Sequence, residues 1–246
     1  MSNDLQSPNQ TPCQDHTEAP KTEAQPTESK KKNLLWLNVL WIIPVIVLIY
    51  FFFLTPFQMK GSELVRYRGS ATKVEIPQKV KWIGKDAFSE CSFVESVIIP
   101  EGVREIGERA FWYCVALESV TIPEGVTQIK IGTFAHCTSL KSVTIPKGVT
   151  VIEKLAFEDC ISLISVTIPD GVAKIDERTF GNCRSLKSLV IPASVTEIDE
   201  KVFLDVDQVM FGRPSTVTNV TIHAPAGSYA ERFAKAHSIP FISTNP

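Results

Sequence analysis

The chain has 246 residues, 44% of them hydrophobic and 21% charged, with a formal net charge of −2. That composition suits a globular or membrane-attached protein and excludes a wholly disordered one. From Thr55 onward acids and bases nearly balance, so no overall basic excess exists to gather phosphates, and nucleic acid is not an expected partner.

Residues 1–32 contain no Val, Ile, Phe, Tyr or Trp and are rich in Pro, Gln, Thr, Ser and Glu. Such a segment buries too little apolar surface to offset the entropy of ordering, so a disordered tail is expected. The run Leu34–Leu54, LLWLNVLWIIPVIVLIYFFFL, carries no charge. As a helix it would be about 31 Å long, against a hydrocarbon core of about 30 Å, and this predicts a transmembrane signal anchor over 33–55. Trp36 and Tyr50 lie towards its ends, where amphipathic rings favour the membrane interface, and Pro44 predicts a kink. No A-x-A-like site follows, so the anchor is read as uncleaved. Lys30, Lys31 and Lys32 abut its N-terminal end and place the tail in the cytoplasm, with the remainder extracytoplasmic or at the cell surface. Lys60, Arg66 and Arg68, more dispersed beyond the other end, count against that orientation.

Residues 56–73 are expected to form a linker and a cap strand, with SELVRYRGSAT (62–72) alternating its side chains over the first coil. The Ile-Pro pair then recurs at Ile76, Ile99, Ile122, Ile145, Ile168 and Ile191, every step being 23 residues. Six units fill 74–211, starting at Val74, Val97, Val120, Val143, Val166 and Leu189. In the unit from Val143, alternation in SVTIP predicts a half-buried strand, and Pro146-Lys147-Gly148 a turn. Val149 and Ile152 turn inward again, and Phe157, Cys160 and Leu163 at three-residue steps predict a tight helical turn. One unit cannot bury its own apolar side chains, so copies must stack into a capped solenoid. The C-terminal cap, 212–246, holds a degenerate seventh unit from near Val220. There Tyr229, Phe233 and Ala236 share a helical spacing, Ser228 is the expected N-cap, and SIPFIS a final strand. The expected fold class is an α/β repeat solenoid, β-rich with short helical turns, preceded by one transmembrane helix and a disordered tail.

The unit VTIPxGVxxIxxxAFxxCxSLxSVTIP resembles the cysteine-containing 23-residue leucine-rich repeats called BspA-like, found in bacterial and some protist surface proteins. LVRYRGSATKVEIPQKV and APAGSYAERFAKAHSIPF resemble segments that open and close such arrays. Over about residues 62–242 the resemblance implies a leucine-rich-repeat solenoid, and members with a known role mostly act in adhesion or host-surface binding.

Cys91, Cys114, Cys137, Cys160 and Cys183 hold one place in successive units. Three readings compete: small apolar fillers in a buried column, disulfides between neighbours, or metal ligands. Five is an odd number, no CxxC-like cluster with His is present, and apolar Val206 holds that place in the sixth unit, which favours the first. No cofactor or metal is expected. No GxSxG, P-loop, HExxH or dinucleotide fingerprint occurs, so the protein is not expected to be an enzyme.

Specific function is sought where the copies differ. Trp112 and Tyr113 stand where other units carry small, polar or charged pairs, and Tyr113 is expected beside His136, one unit on. An exposed aromatic pair anchors a protein or a sugar; local packing is the alternative. The outward strand residues Ser119, Thr121, Ser142, Thr144, Ser165 and Thr167 form either a solvated ladder or a concave face for a protein or glycan. The insertion 204–218, with Met210 and Phe211, is either a recognition loop or a seal on the last coil, and the seal is favoured. Two functions follow: a membrane-anchored, non-catalytic, adhesin-like binding surface, or a structural or assembly scaffold in the cell envelope with no external ligand.

Overall fold

A computed structural model describes residues 42–46, 55–204 and 219–244. The expected tail, Val206, Met210 and Phe211 lie outside the described residues, as does most of the expected anchor, of which 42–46 is helical. Among the described residues no helix is long and apolar enough to cross a membrane.

The described residues from 55 onward belong to one compact unit. It opens with β1 (Phe57–Lys60) and β2 (Glu63–Tyr67), an antiparallel pair where the sequence predicts a linker and one strand. Each coil then contributes a three-residue and a two-residue strand: β3 (Lys73–Glu75) and β4 (Trp82–Ile83), β5 (Ser96–Ile98) and β6 (Glu105–Ile106), β7 (Ser119–Thr121) and β8 (Gln128–Ile129). The pattern continues with β9 (Ser142–Thr144) and β10 (Val151–Ile152), β11 (Ser165–Thr167) and β12 (Lys174–Ile175), and β13 (Ser188–Val190) and β14 (Glu197–Ile198). The closing elements are β15 (Thr221–Ala224), α1 (Tyr229–Ala236) and β16 (Phe241–Ser243).

The longer strands make one eight-stranded sheet in the order β16-β15-β13-β11-β9-β7-β5-β3. The two-residue strands make two further sheets, one of them opened by the β1–β2 pair, in the orders β1-β2-β4-β6 and β14-β12-β10-β8. Pairing between coils is parallel, and equivalent residues meet: Ser96 pairs with Ser119, Ser119 with Ser142, Ser142 with Ser165 and Ser165 with Ser188. A 23-residue period is thus one complete circuit of the solenoid.

The third side of each coil departs from expectation. In place of a short helical turn the first five coils have a string of tight turns with two residues in the left-handed region. In one coil these are Arg109 (φ 52°) and Tyr113 (φ 58°). Within it, the N–H groups of Ala110, Cys114 and Leu117 donate to carbonyls three residues back, at Gly107, Phe111 and Cys114. Those of Arg109, Phe111 and Tyr113 donate instead to Ile131, Thr133 and Ala135 of the next coil. A regular helix would spend every N–H inside its own coil. The left-handed residues turn alternate ones along the stack, so the buried backbone is satisfied by the neighbouring copy.

The core is a file of copies. Phe88, Phe111, Phe134, Phe157 and Phe180 are buried, and successive rings stack 5.0–5.8 Å apart. Tyr67 of β2 extends the file at 5.1 Å from Phe88, and Phe57 of β1 packs on Tyr67 at 5.4 Å. At the other end, Glu231 N–H donates to Ser228 Oγ at 3.2 Å and Glu231 Oε2 accepts from Gly227 N–H at 2.6 Å, capping α1. The buried helix face is Ala230, Phe233 and Ala234, with Tyr229 packed on the core beside it, while Ala236, which shares the spacing of Tyr229 and Phe233, is exposed. The core cluster and the side chains packed on it all fall between Phe57 and Phe241, so the fragment from residue 55 onward carries its own core.

Candidate functional site

The unit cysteines face inward. Cys114, Cys137, Cys160 and Cys183 are buried, and each thiol donates to the carbonyl of the preceding coil's phenylalanine: Phe88, Phe111, Phe134 and Phe157, at 3.1–3.2 Å. Each of these carbonyls also accepts the backbone N–H of its own coil's cysteine, for example Cys91 N–H on the Phe88 oxygen. All five thiols are free. Burial pushes the Cys137 thiol up to about 12 and Cys91 to about 11, and lifts Cys114, Cys160 and Cys183 as well. These are neutral donors tying coil to coil, not nucleophiles.

On the outer surface of the eight-stranded sheet, Ser119, Thr121, Ser142, Thr144, Ser165 and Thr167 are exposed. Registered pairing sets the serines in one row and Thr121 beside Thr144 in another. The result is a smooth hydroxyl-bearing strip along the stack.

The copy-breaking residues gather on the turn side. The residue before each cysteine is left-handed, which makes a second file: Glu90, Tyr113, His136, Asp159 and Asn182. Tyr113 lies against His136 with ring centroids 4.6 Å apart, as expected from the spacing. Trp112 packs 4.6 Å from Tyr113 and meets His136 edge-on at 5.8 Å. Trp112 is half-buried, whereas Tyr113 is 43% exposed. The pair is thus a braced ring presented to solvent.

The same file continues as a polar network that sequence reading missed. His136 Nδ1 lies 2.9 Å from Asp159 Oδ2, Asn182 Nδ2 donates to Asp159 Oδ1, and Arg184 Nε donates to Asn182 Oδ1 at 2.6 Å. Beside it Arg178 pairs with buried Glu158. Burial raises the Glu158 carboxyl despite the Arg178 charge. Burial also works upward on Asp159, but hydrogen bonds from His136 and Asn182 outweigh it and hold that carboxyl below its ordinary value. His136, Glu158 and Asp159 each offer one ligand atom, all within 4.8 Å of one another, and are the group among the described residues able to hold a metal ion. In this arrangement the positive charge beside them is the Arg178 guanidinium, and both carboxylates already have partners. A signal for the network was available: written in rows of 23, His136, Asp159 and Asn182 fall in one column.

The family described as "BspA type Leucine rich repeat region" matches the chain in six copies, over residues 61–153 and 105–229. Among curated proteins none matches. Among solved structures, the leucine-rich-repeat protein of T. pallidum is similar at a TM-score of 0.56 and 21% identity, over 76% of this chain and 95% of that one. The pneumococcal vaccine antigen PcpA is similar at 0.57 and 18%, over 77% of this chain and 46% of its own. At these identities the likeness is one of fold.

Proposed function

The chain belongs to the family of BspA-type leucine-rich repeats, and on that premise we propose that it is a non-catalytic, adhesin-like binding protein held at a membrane by residues 34–54. In this reading the tail is cytoplasmic and the repeats are displayed outside the membrane, following the lysine triplet at 30–32. The repeats are a rigid frame, and recognition belongs where the copies differ. The observation that carries the reading is the solvent-facing Tyr113 ring, braced by Trp112 and His136 on one edge of an otherwise uniform stack. A preorganised aromatic of this kind contributes contact area at small entropic cost, the usual property of an interface anchor or a sugar platform. The exposed serine and threonine strip of the eight-stranded sheet supplies further hydrogen-bonding groups for a protein or glycan.

The test is a binding screen of the 55–246 fragment against extracellular-matrix proteins and glycans, repeated with Trp112→Ala/Tyr113→Ala. Loss of about 2 kcal/mol or more, roughly 30-fold in affinity, is the expected result for an anchor. Binding that ignores both substitutions removes the anchor from the reading. Stable partners recovered only from the protein's own membrane would favour an assembly scaffold instead.

A further inference from the structure

Charge is unevenly distributed along the solenoid. Residues 55–85, the cap and the first half of the first coil, carry seven Lys or Arg against only Glu63 and Glu75, and all seven are exposed, while Asp86, Glu90 and Glu95 follow in the rest of that coil. Lys85 pairs with Glu108, but Lys60, Arg66, Arg68, Lys73, Lys79 and Lys81 make no ion pair among the described residues. Later coils are mixed: Lys130, Lys141, Lys174, Arg178 and Lys201 each pair with an acid of a neighbouring coil, while Arg104, Lys147, Lys154 and Lys187 make no ion pair among the described residues. The unneutralised positive charge is therefore concentrated at the end of the stack that follows the apolar run.

That end also carries a cavity of about 410 Å³. Pro56, Phe57, Met59 and Pro77 give it apolar walls, while Arg68 and Lys79 supply two cations. Arg68 N–H donates to Pro56 O at 2.7 Å, so the β1–β2 pairing fixes the arginine backbone at the wall. Two basic groups on an apolar recess fit a phosphodiester joined to hydrocarbon better than a bare anion. A nucleic-acid track would need base-stacking platforms, and the aromatic here, Phe57, is spent on Tyr67.

We propose that this cavity seats the headgroup of an anionic phospholipid, the phosphate between Arg68 and Lys79 and the glycerol and first methylenes against Phe57 and Met59. The basic cap then rests on the membrane surface, since cations near an anionic leaflet attract it at about 1 kcal/mol each, roughly fivefold in affinity. The proposal rests on the reading of residues 34–54 as a membrane segment, which brings residue 55 to the bilayer surface.

The test uses the 55–246 fragment, which lacks the apolar run, in sedimentation with vesicles of phosphatidylcholine containing phosphatidylglycerol, and with phosphatidylcholine alone. The fragment should bind only the anionic vesicles, and progressively less with added salt. Arg68→Ala/Lys79→Ala should weaken binding by roughly 25-fold, about fivefold per side chain. Arg68→Lys/Lys79→Arg should retain most of it, and Lys154→Ala/Lys187→Ala, at exposed lysines far along the stack, should leave it unchanged. If circular dichroism shows the alanine pair misfolded, Lys79→Glu at the exposed rim gives the same reading. Anionic-vesicle binding indifferent to Arg68 and Lys79 overturns the site. So does binding of inorganic phosphate without vesicles, which would mark a free-phosphate site, or of heparin without vesicles, which would mark an anionic polymer. Alkaline extraction of the full chain from membranes is the separate test of the anchor. An extractable chain whose fragment still binds vesicles would sink the anchor and leave the lipid seat; an integral chain whose fragment does not bind would do the reverse.

Discussion

At the scale of single residues, the cysteine column is a set of hydrogen-bond donors as well as fillers. A thiol matches the space and also reaches the phenylalanine carbonyl of the preceding coil, a weak bond that no alanine can make. Cys137→Ala should cost about 1–2 kcal/mol from the lost donor and the small void, read as a lower denaturant midpoint with an unchanged m-value. The thiol also sets a pH limit. The folded Cys137 keeps its proton to about pH 12, whereas the unfolded thiol releases it near 9. Between those values the folded state binds more protons, so stability is full below pH 9 and falls as pH rises through the window. Alkaline titration followed by circular dichroism should show this fall, shallower in Cys137→Ala, while iodoacetamide should not label the five unit thiols of the folded 55–246 fragment at neutral pH. The inward place of the cysteines was legible from their period and from the apolar residues around them. Their bonding was not, because a thiol column and a valine column read alike in sequence.

At the scale of elements, the three-residue strands were legible because SVTIP alternates over a full strand and Pro ends it. The two-residue strands were not, since two residues carry no period. The left-handed pairs were hidden for another reason. Apart from Gly132 and the Asp, Asn and His positions that tolerate this region, they are occupied by residues such as Arg109 and Leu155, which advertise no special backbone. Helical spacing of Phe, Cys and Leu was real, but the inter-coil hydrogen bonds decide the conformation. Close approach of two elements gives a sharp test. A Cβ on Gly107 would lie 2.5 Å from Lys85 N and 2.6 Å from the Gly84 carbonyl carbon, so the turns after β4 and β6 meet backbone to backbone. Gly107→Ala should destabilise by about 1–3 kcal/mol, as overpacking does, and should lower the thermal midpoint; an unchanged midpoint would mean these two coils separate freely.

At the scale of the whole molecule, the candidate site and the charge polarity both appear only when coils are compared with one another. Tyr113 beside His136 followed directly from the 23-residue step. The extension to Asp159 and Asn182 required reading the same column further along. Because each coil bonds to its immediate neighbours, stability should be close to a sum over coils and interfaces. Removing residues 143–165 joins Ser142 to Val166 in the correct register. The shortened protein should fold cooperatively with a lower melting temperature, whereas removing one residue fewer should disrupt the fold by displacing every following inward side chain. The hairpin at the start has a consequence under load. In β1 the residue nearest the chain's entry, Phe57, pairs with Tyr67, and the pairing runs on to Lys60 with Glu63. A pull applied through residue 55 meets these bonds one after another, as a zipper is opened, while the parallel ladders behind share the force among several strands. The first strand is therefore a mechanical fuse: a tethered domain tugged by its ligand should yield there at low force, lengthen by a few residues, and keep its phenylalanine file intact.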